Sequence, residues 1–283
     1  MKRIVVVGAA GRMGRALIRG LQQQAVPGLA LSGAVDLWDA PERGKDAGLV
    51  AGVDACGVSV ESDLAQAAEG ADAVIDFSGP HGTAGNAPRC AAWGLPLVIG
   101  TTGLDPAGRA AVEAAAEAVP VVWAPNMSLG VNLLLDMVEQ CAARLARRGY
   151  DVEIVERHHR RKKDAPSGTA LALGEAVARG AGWTLDEVAV HGRRGEVKED
   201  RPAAQIGFHA VRGGDFVGDH TVVFAAEGES IELSHRATSR DTFAIGALRA
   251  AAWVCGRSAG LYTMRDVLGL EEGPASNGGS EDA

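Results

Sequence analysis

Short runs of apolar residues alternate with amphipathic, alanine-rich segments along the first part of the chain, up to about residue 125. The first run, at 4–7, is a continuous β-branched stretch of the kind that fills a strand covered on both faces. Repeated alternation of strands with helices predicts an α/β fold with a doubly wound parallel sheet. The predicted strands are 4–7, 29–35, 73–77, 96–99 and 119–124, and the predicted helices are one ending near 24 and those at 62–69, 84–93 and 106–118.

The pattern changes after Asn126, where several strands follow one another without helices between them. Ser128 is placed to cap a helix that runs to about 148. Consecutive strands predict a second, smaller α+β domain with a mostly antiparallel sheet. Its predicted strands are 151–157, 204–212, 216–225 and 230–237, with a helix at 167–179 after the first.

These patterns divide the chain into successive parts. Residues 1–127 are expected to form one domain and residues 128–241 the other. A helical segment at 242–257 lies within a stretch, 242–270, that is expected to return to the first domain. The polar tail at 271–283 is expected to be disordered.

Composition narrows the class of protein. The chain has 283 residues, of which 47% are hydrophobic and 23% charged, so it can build large cores. A net charge of -8 and an aromatic content of 4% argue against nucleic acid as a partner. The four cysteines lie far apart and predict neither a metal site nor a disulfide. The first apolar run is too short for a signal peptide and no stretch is long enough to span a membrane, so a cytoplasmic location is expected.

A glycine-rich turn follows the first predicted strand. Gly8, Gly11 and Gly14 form a G-x-x-G-x-x-G pattern, which allows a tight turn and a close approach of the backbone to a pyrophosphate. Asp36 ends the second predicted strand, where an acidic residue accepts hydrogen bonds from ribose hydroxyl groups. Together these features predict a site for a nicotinamide dinucleotide.

The residues after the ribose acid bear on the choice between NADH and NADPH. Binding of the 2′-phosphate of NADPH usually needs a nearby Arg or Lys, but Leu37 and Trp38 come next. Arg12, Arg43 and Lys45 remain as cations that could reach the site. We therefore expect that NADH is favoured or that both cofactors are used comparably.

The stretch at 153–170, EIVERHHRRKKDAPSGTA, has the highest density of reactive side chains. His158 and His159 are of the residue type most easily poised as a proton donor near neutral pH. Four cations follow at 160–163 and form a local site for an anion. The alternative is that this basic run is a solvated loop, as most charge runs are.

A helix start follows the basic run. Ser167 is placed to cap this helix and to leave the backbone N–H groups of Gly168 and Thr169 free for a carboxylate. A proton donor, a cation cluster and a helix N-terminus in one short stretch predict chemistry on a small acid.

Five segments together resemble the dihydrodipicolinate reductase family of lysine and diaminopimelate biosynthesis. The resemblance implies a Rossmann-like first domain, a second domain whose sheet builds a homotetramer, and reduction of a cyclic unsaturated dicarboxylate by NAD(P)H. It extends from residue 1 to about 270. The segments are GAAGRMG at 8–14, IDFSGPHGT at 75–83, GTTG at 100–103, APNMSLGVN at 124–132 and the stretch at 153–170.

The resemblance also implies roles for individual residues. His158 matches the proton donor and acceptor of the family and Lys162 its second proton donor. His159 matches a substrate contact, and Ser167, Gly168 and Thr169 match the substrate-carboxylate site. The matching cofactor residues are Gly8, Ala9, Ala10, Gly11, Arg12 and Met13 at the pyrophosphate, Asp36 at the ribose, and Gly100, Thr101, Thr102, Ala124, Pro125, Asn126 and Met127 at the nicotinamide end.

Two other functions remain open from the sequence. Another two-domain dehydrogenase, for example one acting on aspartate or homoserine, would use the same first domain but would not explain the HHxxxK and PSGT pattern. A catalytically inactive nicotinamide-binding sensor would bind the dinucleotide without turnover. Among the other polar residues, His220 and His235 are expected to be structural, Asp164 to orient a lysine or cap a turn, and Arg240 to reach the active site or to pair with an acid.

Overall fold

The computed structural model describes residues 1–196, 198 and 200–270. The segment predicted to be a disordered tail, 271–283, lies outside the described residues. Within them, the chain forms two sheets, each packed against helices. None of the described helices is both long and apolar enough to cross a membrane.

The first sheet is parallel throughout. Its strands are β1 (Lys2–Val7), β2 (Leu29–Val35), β3 (Val60–Glu61), β4 (Ala73–Asp76), β5 (Leu97–Ile99), β6 (Pro120–Trp123) and β12 (Gly260–Tyr262). Their order across the sheet is β12-β6-β5-β4-β1-β2-β3. The strand order reverses between β1 and β4, which is the place where doubly wound sheets bind ligands. The predicted doubly wound parallel sheet is confirmed.

Helices cover both faces of this sheet. Ile4 and Val6 of β1 pack into one apolar core, while Val5 and Val7 pack into another on the opposite face. A strand covered on both faces has no polar side, which explains the uninterrupted apolar run in the sequence. The helices around this sheet are α1 (Arg12–Gln22), α2 (Ala47–Ala51), α3 (Leu64–Ala67), α4 (Pro80–Ala92), α5 (Pro106–Ala116), α9 (Asp241–Val254) and α10 (Met264–Leu268). The late helix α9 packs beside α1, where its Leu248 joins the same core as Ile4.

The second sheet is formed by residues that lie between β6 and α9 in the sequence. Its strands are β7 (Asp151–His158), β8 (Ala189–His191), β9 (Ile206–Arg212), β10 (Gly218–Ala226) and β11 (Glu229–Ala237), in the order β11-β10-β7-β9-β8. Its helices are α6 (Leu129–Leu145), α7 (Gly168–Ala181) and α8 (Leu185–Val188).

The prediction of a mostly antiparallel second sheet needs a correction, because the sheet is mixed. The pairings of β10 with β11 and with β7 are antiparallel, but those of β9 with β7 and with β8 are parallel. The chain passes through α7 and α8 between β7 and β8, and such a crossover returns the next strand in the same direction. The following strand, β9, lies between these two and runs parallel to both.

One face of β7 connects the second core to the polar site. Val152 and Ile154 point into the apolar core formed with α6 and α7. Because side chains alternate along a strand, the next residues on the same face are Glu156 and His158, and both are buried. Along this face the apolar core therefore ends at the carboxylate of Glu156 and the imidazole of His158, both of which belong to the 153–170 stretch.

Candidate active site

The turn after β1 fits a dinucleotide. Gly8 has φ of 79°, a backbone conformation that L side chains rarely adopt. A Cβ atom on Gly14 would lie 2.1 Å from the carbonyl oxygen of Gly8, so only glycine allows α1 to pack this closely on the turn. Gly11 stands at the N-cap of α1 and has no side chain to cover the first amide groups of the helix. Those amides and the helix dipole form an anion site of the type that binds a pyrophosphate.

The carboxylate of Asp36 is anchored beside this turn. It accepts hydrogen bonds from the backbone N–H of Ala10 at 2.7 Å and of Leu37 at 2.8 Å. Together with Gly8 it lines a cavity of about 300 Å³ at the carboxyl end of β2. This is the position expected for an acid that binds ribose hydroxyl groups. The predicted residues Ala9 and Met13 pack into the core beneath the turn.

Two cations near the ribose acid, Arg43 and Arg89, have other partners. The guanidinium of Arg43 donates to the carbonyl oxygen of Trp38 at 3.4 Å. Arg89 lines the cavity of Asp36, but its guanidinium pairs with Asp63 at 3.4 Å. Arg12, although part of the glycine-rich turn, lines a different, strongly polar cavity.

The predicted residues of the loop after β5 serve two purposes. A Cβ atom on Gly100 would lie 2.1 Å from the ring of Phe77, so this glycine makes room for the neighbouring loop. The buried hydroxyl of Thr101 bonds to that of Thr83 at 2.8 Å. These two residues support the loop from beneath. Thr102 instead lines the main cavity, which lies between the loops after β5 and β6 and the start of α7.

The loop after β6 is divided in the same way. Ala124, Pro125 and Asn126 line the main cavity. Met127 instead is buried in the core, and its backbone packs closely against Gly246 of α9. The side chain of Met127 therefore supports the loop rather than lining the cavity.

The main cavity has a volume of about 560 Å³ and brings the two parts of the predicted site together. One wall comes from the loops after β5 and β6, and the other comes from the end of β7 and the start of α7. The predicted residues that line it are Thr102, Ala124, Pro125, Asn126, His158, Lys162, Ser167, Gly168 and Thr169.

His158 is held by groups behind its ring. Its Nδ1 atom lies 2.5 Å from Oε2 of Glu156, and the ring of His220 packs against it edge to face with centroids 5.1 Å apart. His158 lines both the main cavity and the polar cavity. With Nδ1 occupied by the carboxylate, Nε2 is the ring atom left for proton transfer.

Lys162 lines the same two cavities as His158. Its ammonium group lies 2.7 Å from the carboxylate of Asp164. This hydrogen bond is the largest cause that holds the pKa of Asp164 below its ordinary value. Of the two roles left open for Asp164, the structure thus shows the contact with a lysine.

The start of α7 forms a second anion site. The hydroxyl of Ser167 accepts the N–H of Ala170 at 3.1 Å, as the predicted cap requires, and lies 3.0 Å from Nε2 of His220. Since Ser167 is buried and its hydroxyl is engaged, its contribution is to hold the helix start. The backbone N–H groups of Gly168 and Thr169 lie in the first turn, where they have no acceptor within the helix.

The polar cavity, of about 530 Å³, adjoins the main one and collects the cations. His159 lies in it, and its pKa is lowered by burial and then by the charges of Arg161 and Arg240. Arg240 precedes α9 and is far from the basic run in sequence. Of the two roles left open for Arg240, its place in this cavity supports reach into the site. Besides His158, His159 and Lys162, the cavity is lined by Arg12, Arg161, Lys163, Asp164, Val217 and Arg240.

Two further residues of the site carried no assignment from the sequence. Glu156 is buried behind His158, and Arg212 of β9 forms two hydrogen bonds with its carboxylate, at 2.7 and 2.8 Å. Burial alone would raise the pKa of Glu156, but the hydrogen bonds from Arg212 and then His158 outweigh it and lower that pKa. The spacing of Glu156 and His158, two residues apart on a strand, is the signal that could have linked them.

Comparisons with known proteins cover nearly the whole chain. The family model described as dihydrodipicolinate reductase, N-terminus, matches residues 2–127, and the one described as dihydrodipicolinate reductase, C-terminus, matches residues 130–268. A 4-hydroxy-tetrahydrodipicolinate reductase from Thiobacillus denitrificans is 55% identical over 269 residues, which are 95% of this chain and 99% of the relative. One from Anaeromyxobacter dehalogenans is 53% identical over 273 residues, 96% of this chain and 100% of the relative.

A solved structure supports the fold. The dipicolinate-bound dihydrodipicolinate reductase from Paenisporosarcina sp. TG-14 superimposes with a TM-score of 0.73 at 23% sequence identity. The match covers 93% of this chain and 97% of that one. The arrangement of a Rossmann-like parallel sheet beside a second, mixed sheet is therefore shared with that protein.

Proposed function

The chain belongs to the dihydrodipicolinate reductase family, and we propose that it reduces 4-hydroxy-tetrahydrodipicolinate to tetrahydrodipicolinate with a nicotinamide cofactor. This reaction belongs to lysine and diaminopimelate biosynthesis. The observation that carries the assignment of residues is the main cavity, where His158, Lys162 and the start of α7 face the loops after β5 and β6. Overall, one hydride and one proton are added to the substrate and one water is lost.

The chain supplies the proton. A nicotinamide cofactor would supply the hydride, and addition of hydride to a conjugated imine would create negative charge on the ring. His158 and Lys162 line the cavity in which that charge would develop. A positioned acid of this kind neutralises the charge as it forms and lowers the barrier. His158 is the first proton donor and Lys162 the second, as the resemblance to the family implies.

The dicarboxylate is held by two kinds of donor. The backbone N–H groups of Gly168 and Thr169 donate hydrogen bonds to one carboxylate at the positive end of α7. His159 and Arg240 lie in the adjoining polar cavity, where the surrounding cations attract the other. Fixing both carboxylates orients the ring toward the cofactor and lowers the entropic part of the barrier.

The cofactor is held by the first sheet. The uncapped amides after Gly11 hold the pyrophosphate, and Asp36 binds the adenosine ribose. Thr102 and Asn126 line the nicotinamide end of the site. Gly100, Thr101 and Met127 keep these loops in place from beneath.

NADH is favoured in this assignment, or both cofactors are used comparably. The anchored carboxylate of Asp36 would repel a 2′-phosphate, while Arg43 and Arg89 are engaged with Trp38 and Asp63. The ratio of kcat/KM for NADH to that for NADPH tests this point. A strong preference for NADPH would overturn it.

We also propose two further features from the resemblance to the family. The protein is a homotetramer that assembles through the second sheet, and it works in the cytoplasm. Sedimentation of the purified protein tests the first point, and a monomer at working concentration would contradict it.

A coupled assay tests the activity itself. The preceding synthase forms the substrate in situ from pyruvate and aspartate semialdehyde, and the purified protein is added with NADH or NADPH. The absorbance of the reduced nicotinamide should fall only when all components are present. An unchanged absorbance with both cofactors would exclude the proposed function.

A further inference from the structure

Glu156 is a buried carboxylate to which the mechanism above gives no part, and we propose that it is a positioning residue for both halves of the substrate site. It holds His158 with Nδ1–H toward the carboxylate, which leaves Nε2 for proton transfer, and it holds the start of α7 through Ser167. The inference rests on the proposed function in one respect, since it takes His158 as the proton donor.

The contacts of Glu156 fix the direction of every hydrogen bond. Oε1 accepts the backbone N–H of Ser167 at 3.0 Å and one N–H of Arg212 at 2.7 Å. Oε2 accepts the second N–H of Arg212 at 2.8 Å and faces Nδ1 of His158 at 2.5 Å. An ionised carboxylate accepts only, so Nδ1 of His158 must carry a hydrogen. In the neutral ring Nε2 is then the bare nitrogen, and in the charged ring it carries the proton that can be transferred.

The carboxylate of Glu156 is buried so deeply that its charge must be compensated by neighbouring groups. Glu156 is 1% exposed, and an unpaired charge at such a depth would be strongly destabilising. Arg212 compensates the charge through two hydrogen bonds, and its guanidinium also donates to the backbone carbonyl of Asp164 at 2.5 Å. The pair of Glu156 and Arg212 thus holds three parts of the site: the ring of His158, the start of α7 and the loop that carries Lys162.

Charged and titratable groups approach His158 from each neighbouring element. Glu156 comes from its own strand, Lys162 from the following loop, Arg212 from β9 and His220 from β10. Of these four, Glu156 alone is hydrogen-bonded to the ring. The orientation of the imidazole therefore depends on this carboxylate.

Replacement of Glu156 by glutamine keeps the size and shape of the side chain but removes its negative charge and one of its two acceptor oxygens. The amide has one acceptor, which Ser167 and Arg212 both require, so its NH2 group is left facing Nδ1 of His158. The amide then donates, and the neutral ring takes the Nε2–H form. We expect kcat to fall about 10- to 100-fold, as is typical when the group behind a functional histidine is lost, with the Kd for NADH within about threefold.

A matched control comes from the same strand. Glu153 points to the opposite face of β7 and also binds two arginines and a histidine, Arg193, Arg201 and His209. Glu153→Gln is expected to leave kcat within about threefold of the wild type. A fall equal to that of Glu156→Gln would make both effects structural and overturn the proposal.

A double-mutant cycle tests whether Glu156 acts through His158. In the His158→Gln background, the additional change Glu156→Gln should cause less than a threefold further loss of kcat, because the ring that it positions is gone. Losses that multiply in full would contradict the proposal.

The tautomer of His158 provides a readout that does not depend on activity. With 15N-labelled histidine in the full-length protein, the ring nitrogens of His158 are assigned by their absence in His158→Gln. In the wild type, at a pH where the ring is neutral, we expect Nδ1 to carry the hydrogen, and in Glu156→Gln we expect Nε2 to carry it. An Nε2–H ring in the wild type would overturn the proposal even if Glu156→Gln did not fold. A wild type with the expected tautomer but without turnover would instead exclude only the proposed function.

Discussion

The side-chain amide of Asn126 donates a hydrogen bond to the hydroxyl of Thr169, with Nδ2 and Oγ1 3.2 Å apart. The bond joins the loop after β6 to the first turn of α7, so it connects the wall of the main cavity proposed to hold the cofactor to the wall proposed to hold the substrate. The same asparagine is held by its own loop, since its Oδ1 accepts the N–H of Ser128 at 2.9 Å.

Loss of the Asn126–Thr169 bond should weaken catalysis modestly. Thr169→Val removes the hydroxyl but keeps the shape of the side chain and the backbone N–H that is proposed to bind the substrate carboxylate. A neutral hydrogen bond contributes about 0.5–1.5 kcal/mol, so we expect kcat/KM for the substrate to fall roughly 2- to 10-fold. The double variant with Asn126→Ala should be little worse than the worse single variant, because both remove the same bond. Full additivity in steady-state kinetics would show that the two residues act independently.

Removal of the proposed proton donor should affect turnover and spare cofactor binding. For His158→Gln we expect kcat to fall about 10²- to 10⁴-fold, the usual contribution of general acid catalysis. The Kd for NADH, measured by fluorescence, should change little because the ring lies on the substrate wall. The control is His191→Gln, at an exposed histidine of β8 outside both the main and the polar cavity. Turnover that survives in His158→Gln would mean that the donor is another residue.

The glycine-rich turn should tolerate no added side chain. In Gly14→Ala the new Cβ would lie 2.1 Å from the carbonyl oxygen of Gly8, and backbone on this side cannot move aside cheaply. We expect a loss of about 1–3 kcal/mol in the free energy of unfolding and an increase of roughly tenfold or more in the Kd for NADH.

Gly85→Ala is the matched control for this change. Gly85 lies inside α4, and its added Cβ would meet open space. We expect the free energy of unfolding to stay the same or to rise by about 0.5–1 kcal/mol, because alanine loses less conformational entropy on folding. Equal losses in both variants, measured by chemical denaturation, would argue against the steric explanation.

His220 should make stability depend on pH. Burial, and then the charge of His158, lowers the pKa of His220 from 6.5 to about 4 in the folded protein. The unfolded chain therefore binds a proton on this ring at a higher pH than the folded chain does. Its contribution to the free energy of unfolding is constant above about pH 6.5 and is lost progressively as the pH falls toward 4, on the order of 3 kcal/mol in all.

The test compares wild type with His220→Gln, which can still bond to the hydroxyl of Ser167. Chemical denaturation at several pH values between 4 and 7 should show a steeper loss of stability in the wild type. His235, whose pKa burial also lowers, accounts for part of the dependence that remains in the variant. Identical slopes for the two proteins would show that His220 does not titrate in this range.

The sequence predicted the first sheet well because each of its longer strands is covered on both faces and reads as an uninterrupted apolar run. The sequence did not predict strands that are too short to show a periodic pattern, such as β3 at Val60–Glu61 and β12 at Gly260–Tyr262. The direction of β9 was also beyond it. That direction is seen only in the parallel pairing of β9 with β7 and β8, because a strand has the same pattern of residues whichever way it runs.

The sequence by itself determined the family and the residues that we propose for the chemistry, because GAAGRMG and the 153–170 stretch place those residue types at fixed spacings. Only the tertiary structure decided which groups surround them. The parallel register of β7 with β9 sets His158 opposite Arg212, and this brings the arginine onto Glu156 from 56 positions away. The close of β11 and the start of α9 likewise bring Arg240 to His159. Such contacts are set by how strands pair and helices pack around a common core, and local sequence patterns do not encode them.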